Sequence, residues 1–302
     1  MFDIYAAVTS RILDQLAAGV IPWRKPWAGC SNGAVSHTRL RPYSLVNQLL
    51  LGEPGEYLTL NQCNAEGGRV LKGSKSRFVV FWKLFNRAER AEDGSPVVDA
   101  DGEPCTRTVP VLRYYRVFSV SDCEGITPKL RPEADLPHID PIQRAEDVFD
   151  TYKARERVGF SNRLQNHAYY APAADEIVLP LLNQFSDATE YYSTLFHEAT
   201  HSTGHPTRLA RFAPDGSDTF GSDPYAKEEL VAEIGSAAIL HALGMETPAT
   251  FTNSAAYIDN WSQKLRDDPR LFISATTRAE KAVRMILGPS ADALYGADAV
   301  EQ

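Results

Sequence analysis

The sequence predicts an α+β fold in two domains, and three observations carry that reading. Segments with helical apolar spacing, such as 3–18 and 225–243, stand apart from β-branched and aromatic runs at 77–120 and 167–179. Between them lies a stretch with Pro128, Pro132, Pro137 and Pro141 amid mixed charge, the composition of a linker. The charge is also divided. Residues 1–125 carry 15 Lys and Arg against 13 Asp and Glu, whereas residues 126–302 carry 16 against 26. Such a division suggests modules with different partners. The expected boundaries are a first domain over 1–124, a linker over 125–141 and a second domain over 142–302.

The elements follow in order. Ile4, Val8, Ile12 and Leu16 predict a helix over 3–18, ended by Gly19. Short helices are expected over 44–51 and 60–65. Residues 77–85 and 109–120 read as antiparallel strands, with an exposed excursion near 91–107 marked by the turn signals Asp93-Gly94 and Asp101-Gly102. A helix is expected over 142–157, then a hairpin over 167–179 turning at 172–175. Asp187 is a good N-cap for a helix reaching His201 or Ser202, where Gly204 and Pro206 stop it. Further helical segments cover 225–243 and 253–287.

Composition excludes some classes. At 43% hydrophobic and 23% charged residues, the chain is ordinary for a globular protein. No apolar run approaches a membrane span, and Met1-Phe2-Asp3-Ile4 lacks a basic-then-apolar leader. Cys30, Cys63, Cys105 and Cys123 form no C-x-x-C pair, which argues against a cysteine zinc knuckle. Reduced thiols in a cytoplasmic protein are expected.

The chemistry concentrates in His197-Glu198-Ala199-Thr200-His201. One helical turn separates the histidines, so both rings leave the same face and can grip one ion, with zinc the best fit and another divalent transition metal possible by chemistry. Glu198 is placed to act as general base toward a water held there, as in a zinc peptidase. A third ligand is needed. His205 continues the same face, but the helix ends before it. Glu229 and Glu233 share a face of the next predicted helix. Glu229 is the expected ligand and Glu233 the expected hydrogen-bond partner of a ligand imidazole, with Glu228 a quarter turn away in solvent. His205, Tyr225 and Tyr170 are candidates to face substrate, and the hairpin is the expected rim to which a peptide adds as a strand.

In the first module, cations interleave with aromatics, a pattern suited to single-stranded nucleic acid. Residues 69–90 hold seven basic side chains and one acidic one. The expected contacts are Trp23, Arg24, Lys25, Trp27, Tyr43, Asn47, Lys72, Lys75, Arg77 and Lys83, with Phe81 and Trp82 nearby.

Over nearly its full length the chain resembles the ArdC family of plasmid antirestriction proteins. The resemblance rests on Ile21-Pro22-Trp23-Arg24-Lys25-Pro26-Trp27, Arg41-Pro42-Tyr43-Ser44-Leu45-Val46-Asn47 and Lys72-Gly73-Ser74-Lys75. In the second half it rests on residues 197–206, Arg208-Leu209 and residues 227–234. It departs at Leu45, where the family often has Gly. The resemblance implies an N-terminal single-stranded DNA-binding domain and a C-terminal zincin-like domain similar to SprT-type metallopeptidases. It also implies a conjugation role, shielding incoming DNA from host restriction. Two expectations follow: a DNA-tethered metallopeptidase cutting a host restriction enzyme or another DNA-bound protein, as a repair protease does, or a DNA-coating protein whose metal site is structural or idle. The intact Glu198 favours the first.

Overall fold

The computed structural model describes residues 3–18, 21–22, 33–89, 95, 97–98, 105–130, 141–185, 187–212, 223–245 and 255–295, with backbone alone at 141, 223–226 and 255–258. The first helix, α1 (Ile4–Ala17), starts where Asp3 accepts the Ala6 N–H and buries Val8, Ile12 and Leu16. Next come β1 (Ala34–Ser36), α2 (Leu45–Leu51), β2 (Gly55–Leu58) and α3 (Leu60–Ala65), the last opened by a Thr59–Gln62 capping box. β3 (Arg69–Val70) pairs with β6 (Cys123–Glu124). Between them, β4 (Arg77–Ala88) and β5 (Thr106–Ser119) form a long antiparallel ribbon. The main sheet has the order β1-β2-β5-β4. The ribbon is longer than expected, because the ladder continues to Ala88 opposite Thr106 and takes in part of the predicted excursion.

Two side chains of α2 close the sheet. Asn47 donates to the Val80 carbonyl at 2.8 Å and accepts its N–H at 2.7 Å, standing in for a strand beside β4, which is an edge strand among the described residues. Gln48 does the same for β1, accepting the Ala34 N–H at 2.7 Å and donating to its carbonyl at 3.0 Å. Asn47 is therefore a buried backbone clamp rather than the DNA contact expected from sequence. Glu56 similarly fixes the start of the proline-rich stretch, accepting the Lys129 and Leu130 N–H groups at 2.7 and 2.6 Å.

The second half begins with α4 (Pro141–Glu156), followed by β7 (Gly159–Arg163), β8 (Tyr169–Ala171) and β9 (Glu176–Pro180). The expected hairpin is β8 and β9, but β7 pairs parallel to β9 on its other side, giving the order β7-β9-β8. The sequence hid β7 because Gly159-Phe160-Ser161-Asn162-Arg163 has no β-branched residue. Then come α5 (Ala188–Ser202), α6 (Asp223–Ala242), α7 (Ala255–Asp267), α8 (Leu271–Leu287) and α9 (Ser290–Tyr295). The single helical region expected over 253–287 is split at Asp268-Pro269, since proline cannot continue the hydrogen-bond ladder.

One apolar core crosses both halves. It joins Val8, Ile12 and Leu16 of α1, Leu49 and Leu50 of α2, Phe196 of α5, Ile234 of α6 and Phe272 and Val283 of α8. Thr9 also donates to the Pro269 carbonyl at 2.9 Å. Cys63, Cys105 and Cys123 are free thiols, and burial lifts Cys123 to about 11. No described helix is long and apolar enough to cross a membrane.

Candidate metal centre

The centre is built on α5. Asp187 caps it, accepting the Glu190 N–H at 2.8 Å, while Tyr191, Tyr192, Leu195, Phe196 and Ala199 bury one side. His197 and His201 project from another side, their rings edge to face with centroids 4.8 Å apart and their Nε2 atoms 3.2 Å apart. Helix α6 brings Glu229 against them. Its Oε1 lies 3.4 Å from His201 Nε2 and its Oε2 lies 3.5 Å from His197 Nε2. Among the described residues, His197, His201 and Glu229 are the group whose donor atoms converge in this way. Bonds of about 2.0–2.1 Å to a four-coordinate ion place ligand atoms roughly 3.3–3.4 Å apart, so this spacing fits one divalent ion with a position to spare.

The approach of α6 depends on Gly235. A Cβ there would lie 2.7 Å from Thr200 Cγ2 and 2.9 Å from its Oγ1. The missing side chain lets α6 touch α5 at Thr200, next to His201 and about one turn from His197. Gly204 has a comparable role after α5, where a Cβ would meet Phe212 at 2.8 Å.

Behind His201 stands Glu228, which is buried rather than solvated as expected. Its Oε1 is 3.5 Å from His201 Nδ1. Arg211 holds that carboxylate from the other side, its Nη2 donating to Oε1 at 2.6 Å and its Nε to Oε2 at 3.0 Å. Arg211 also donates to Thr203 Oγ1 at 2.7 Å and to the Thr200 carbonyl at 2.8 Å, which ties the pair to α5. Glu228 thus occupies the place behind a ligand imidazole that the sequence reading assigned to Glu233. Arg211 was missed. A buried arginine between two motif segments leaves no periodic signal.

Electrostatics favour a cation here. Burial would lower the pKa of His201, but hydrogen bonding to Glu228 and Glu229 and the nearby charge of Glu198 lift it to about 10. Burial would raise Glu229, yet the two imidazoles hold it well below the usual carboxylate range. Glu228 is likewise lowered, the partnership with His201 and Arg211 outweighing its burial. Glu198 is buried beside His197.

The other expected residues fall elsewhere. His205 Nδ1 bonds to Thr207 Oγ1 at 2.8 Å and is not in the converging group. Tyr170 is committed to the hairpin turn: its hydroxyl donates to Asp175 at 2.7 Å and accepts from Arg208 at 3.2 Å. Arg208, its side chain buried, pairs with Asp175 and donates to the Ser202 carbonyl at 2.8 Å, so it fastens β8–β9 to the end of α5. For Tyr225 only the backbone is described, in the first turn of α6. In the first half, Trp23, Arg24, Lys25 and Trp27 lie outside the described residues. Tyr43 packs edge-on to Tyr57, Lys72 and Lys75 are exposed before β4, Arg77 pairs with Glu53 at 2.6 Å, and Lys83 sits over the Phe85 ring. A cleft of about 810 Å³ lies between the ribbon and α8, lined by Arg41, Tyr43, Trp82, Tyr115 and Lys281 but by none of the metal-centre residues.

Residues 2–118 match the model of the N-terminal domain of anti-restriction factor ArdC, and residues 143–278 match that of a zincin-like metallopeptidase. The chain is 34% identical over 294 residues to a DNA primase TraC of Escherichia coli, covering 93% of this chain and 26% of the primase. A second TraC primase is 33% identical, with 19% of it covered. The chain therefore spans about a quarter and a fifth of these two relatives. Protein y4eC of Sinorhizobium fredii is 34% identical over 304 residues, covering 96% of this chain and 94% of that protein. Two crystal structures of the antirestriction ArdC protein from plasmid R388 cover 96% of this chain and 99% of theirs. The metal-free form has a TM-score of 0.70 at 32% identity, and the Mn(II)-bound form 0.72 at 31%.

Proposed function

Since the chain belongs to the ArdC family of antirestriction proteins, with an ArdC N-terminal domain followed by a zincin-like metallopeptidase domain, we propose that it is a DNA-tethered metallopeptidase. Its first domain binds single-stranded DNA, its second hydrolyses a peptide bond, and the two together protect incoming plasmid DNA from host restriction during conjugation. In this reading the domains divide at 124, with residues 125–141 as the connector and residues 142–302 as the peptidase unit. The peptide substrate is a protein met on that DNA.

The observation that carries the enzymatic part is the convergence of His197, His201 and Glu229 beside a buried Glu198. His197 Nε2, His201 Nε2 and a Glu229 oxygen would hold the ion, zinc by ligand chemistry, though the related R388 protein has a Mn(II)-bound structure. When bound, a divalent ion supplies Lewis acidity toward a water and the scissile carbonyl. Glu198 takes the proton of the attacking water and returns it to the leaving amine. Glu228, held by Arg211, keeps the His201 ring oriented with Nε2 toward Glu229. Among the described residues β8 is an edge strand of its sheet, and in this reading an extended peptide adds there.

The test compares the metal-loaded full chain with its Glu198→Gln variant, measuring bound metal, peptide hydrolysis in the presence of oligothymidine, and plasmid protection in conjugation. Metal content should be equal, while hydrolysis falls by about 10²–10⁴-fold. Full plasmid protection by the variant would disprove the proteolytic account and leave a DNA-coating protein with an idle metal site.

A further inference from the structure

We propose that single-stranded DNA runs along one face of the β4–β5 ribbon, the face carrying Phe81, Lys83, Phe85, Arg113 and Tyr115, and enters the cleft at Tyr43 and Arg41. The proposal rests on the reading that the first domain binds single-stranded DNA, and it names the surface that does so.

The ribbon is two-faced by register. Its twelve pairs run without a break from Arg77 opposite Val117 to Ala88 opposite Thr106, so odd-numbered residues share one face and even-numbered residues the other. Packing agrees. Phe78, Val80, Leu112 and Tyr114 join the main core, whereas Val79, Phe81 and Val117 pack in a separate cluster with Tyr57 and Tyr43. The even face is apolar as far as Leu84 and Pro110, with Asn86, Thr106 and Thr108 beyond, and carries one cation, Arg116. The odd face carries Arg77, Lys83, Arg87, Arg107 and Arg113, and neither strand contains an acidic residue. Trp82, expected to act with Phe81, is on the even face.

Rings and cations alternate on the odd face. Lys83 Nζ and Arg113 Cζ lie 5.6 and 5.4 Å from the Phe85 ring centre. Phe81 and Tyr115 are in contact at 4.9 Å, and Tyr115 is 50% exposed. Phe81 and Phe85 stand four residues apart on β4, about 13 Å, roughly four times the 3.4 Å step of stacked bases, which leaves room for bases between them. One further feature points to an anion. Arg87 lies directly opposite Arg107, both exposed. Like charges in that position repel, and a phosphate between them removes the repulsion. The cleft extends the track around the ribbon, since Arg41, Tyr43, Phe81 and Tyr115 line it together with Trp82 and Leu84 of the even face.

The experiment measures fluorescence anisotropy of a labelled oligothymidine, and of a duplex of equal length, against the full chain. Tyr115→Ala and Arg113→Ala should each weaken binding by about 5- to 100-fold. Tyr115→Phe should retain it, and Arg116→Ala, on the opposite face, should leave it within about twofold. Arg107→Ala should reduce the salt dependence by about 0.7 in log–log slope while leaving the melting temperature equal or higher. If the unaltered chain binds oligothymidine but Tyr115→Ala and Arg113→Ala bind as tightly, this surface is wrong and the DNA-binding reading stands. If the unaltered chain does not bind, both fall. Tighter binding to duplex overturns the stacking face.

Discussion

Gly235→Ala offers a sharp test of how the metal centre is assembled, because helix propensity and packing predict opposite signs. In an isolated helix, alanine for glycine is favourable by about 1 kcal/mol. Here the new Cβ would stand 2.7 Å from Thr200 Cγ2 and 2.9 Å from Oγ1. Carbon atoms prefer about 3.5–4.0 Å, so the helices must separate by roughly 0.8 Å or Thr200 must move. Thr200 has no room: it is fully buried and its hydroxyl donates to the Phe196 carbonyl at 2.7 Å. Overpacking of this kind costs about 1–3 kcal/mol. Glu229 is carried on α6 fewer than two turns from residue 235, and a metal site tolerates ligand errors of only about 0.2 Å. The expected result is at least a tenfold loss of Zn(II) or Mn(II) affinity, about 1.4 kcal/mol, with no gain in melting temperature. Chelator competition and thermal melting measure both. The double variant Thr200→Ala with Gly235→Ala should recover most of the affinity, since the nearest remaining atom, Thr200 Cβ, is 3.4 Å away. If Gly235→Ala binds metal normally and melts higher, the close approach does not govern the site.

Three further outcomes are expected. Glu228→Gln should lower metal affinity by about 10- to 100-fold, because it weakens the hold on the His201 ring, and should destabilise the fold because Arg211 is left buried without its anion; unchanged chelator competition would reject this role. Asn47→Ala should cost about 2–4 kcal/mol in urea unfolding, as both polar groups of Val80 lose their partners in a buried place, and a loss below about 1 kcal/mol would mean the β4 edge is held otherwise. His201 is lifted to about 10, so at neutral pH it keeps its proton until a metal takes Nε2. Metal binding at pH 7 should therefore release close to one proton from it, and affinity should rise with pH up to that value. Calorimetry in buffers of different ionisation enthalpy measures the release, and a value near zero would contradict the assignment.

Much of the centre was legible because its rules are local. An i, i+4 histidine pair on a capped helix shares a face whatever surrounds it, and Asp187, Gly204 and the residues buried on α5 repeat the pattern read from sequence. The helices α1, α2, α3, α4 and α6 also lie where the sequence reading expected them, α1 by its periodic apolar stripe. Strand β7 was not legible, since its partner β9 supplies the pairing that its own composition does not suggest.

By itself, then, the sequence determined the two histidines and Glu198 on one helix, the strands of the ribbon and the two-part organisation, all of which rest on spacing and composition along the chain. The sequence also pointed to Glu229, whereas only the tertiary structure brought Glu228 behind His201 and set the side from which both glutamates arrive. Glu228 and Glu229 are adjacent in sequence, and their roles separate because the contact of Gly235 with Thr200 and the grip of Arg211 set the rotation of α6 against α5. The same holds for the ribbon. Its cations and rings were visible as a mixture, but their sorting onto one face, and the withdrawal of Asn47 into the core, depend on the register of β4 against β5 and on what packs beneath them. Register and helix rotation arise from contacts between residues far apart in the chain, and no local pattern encodes them.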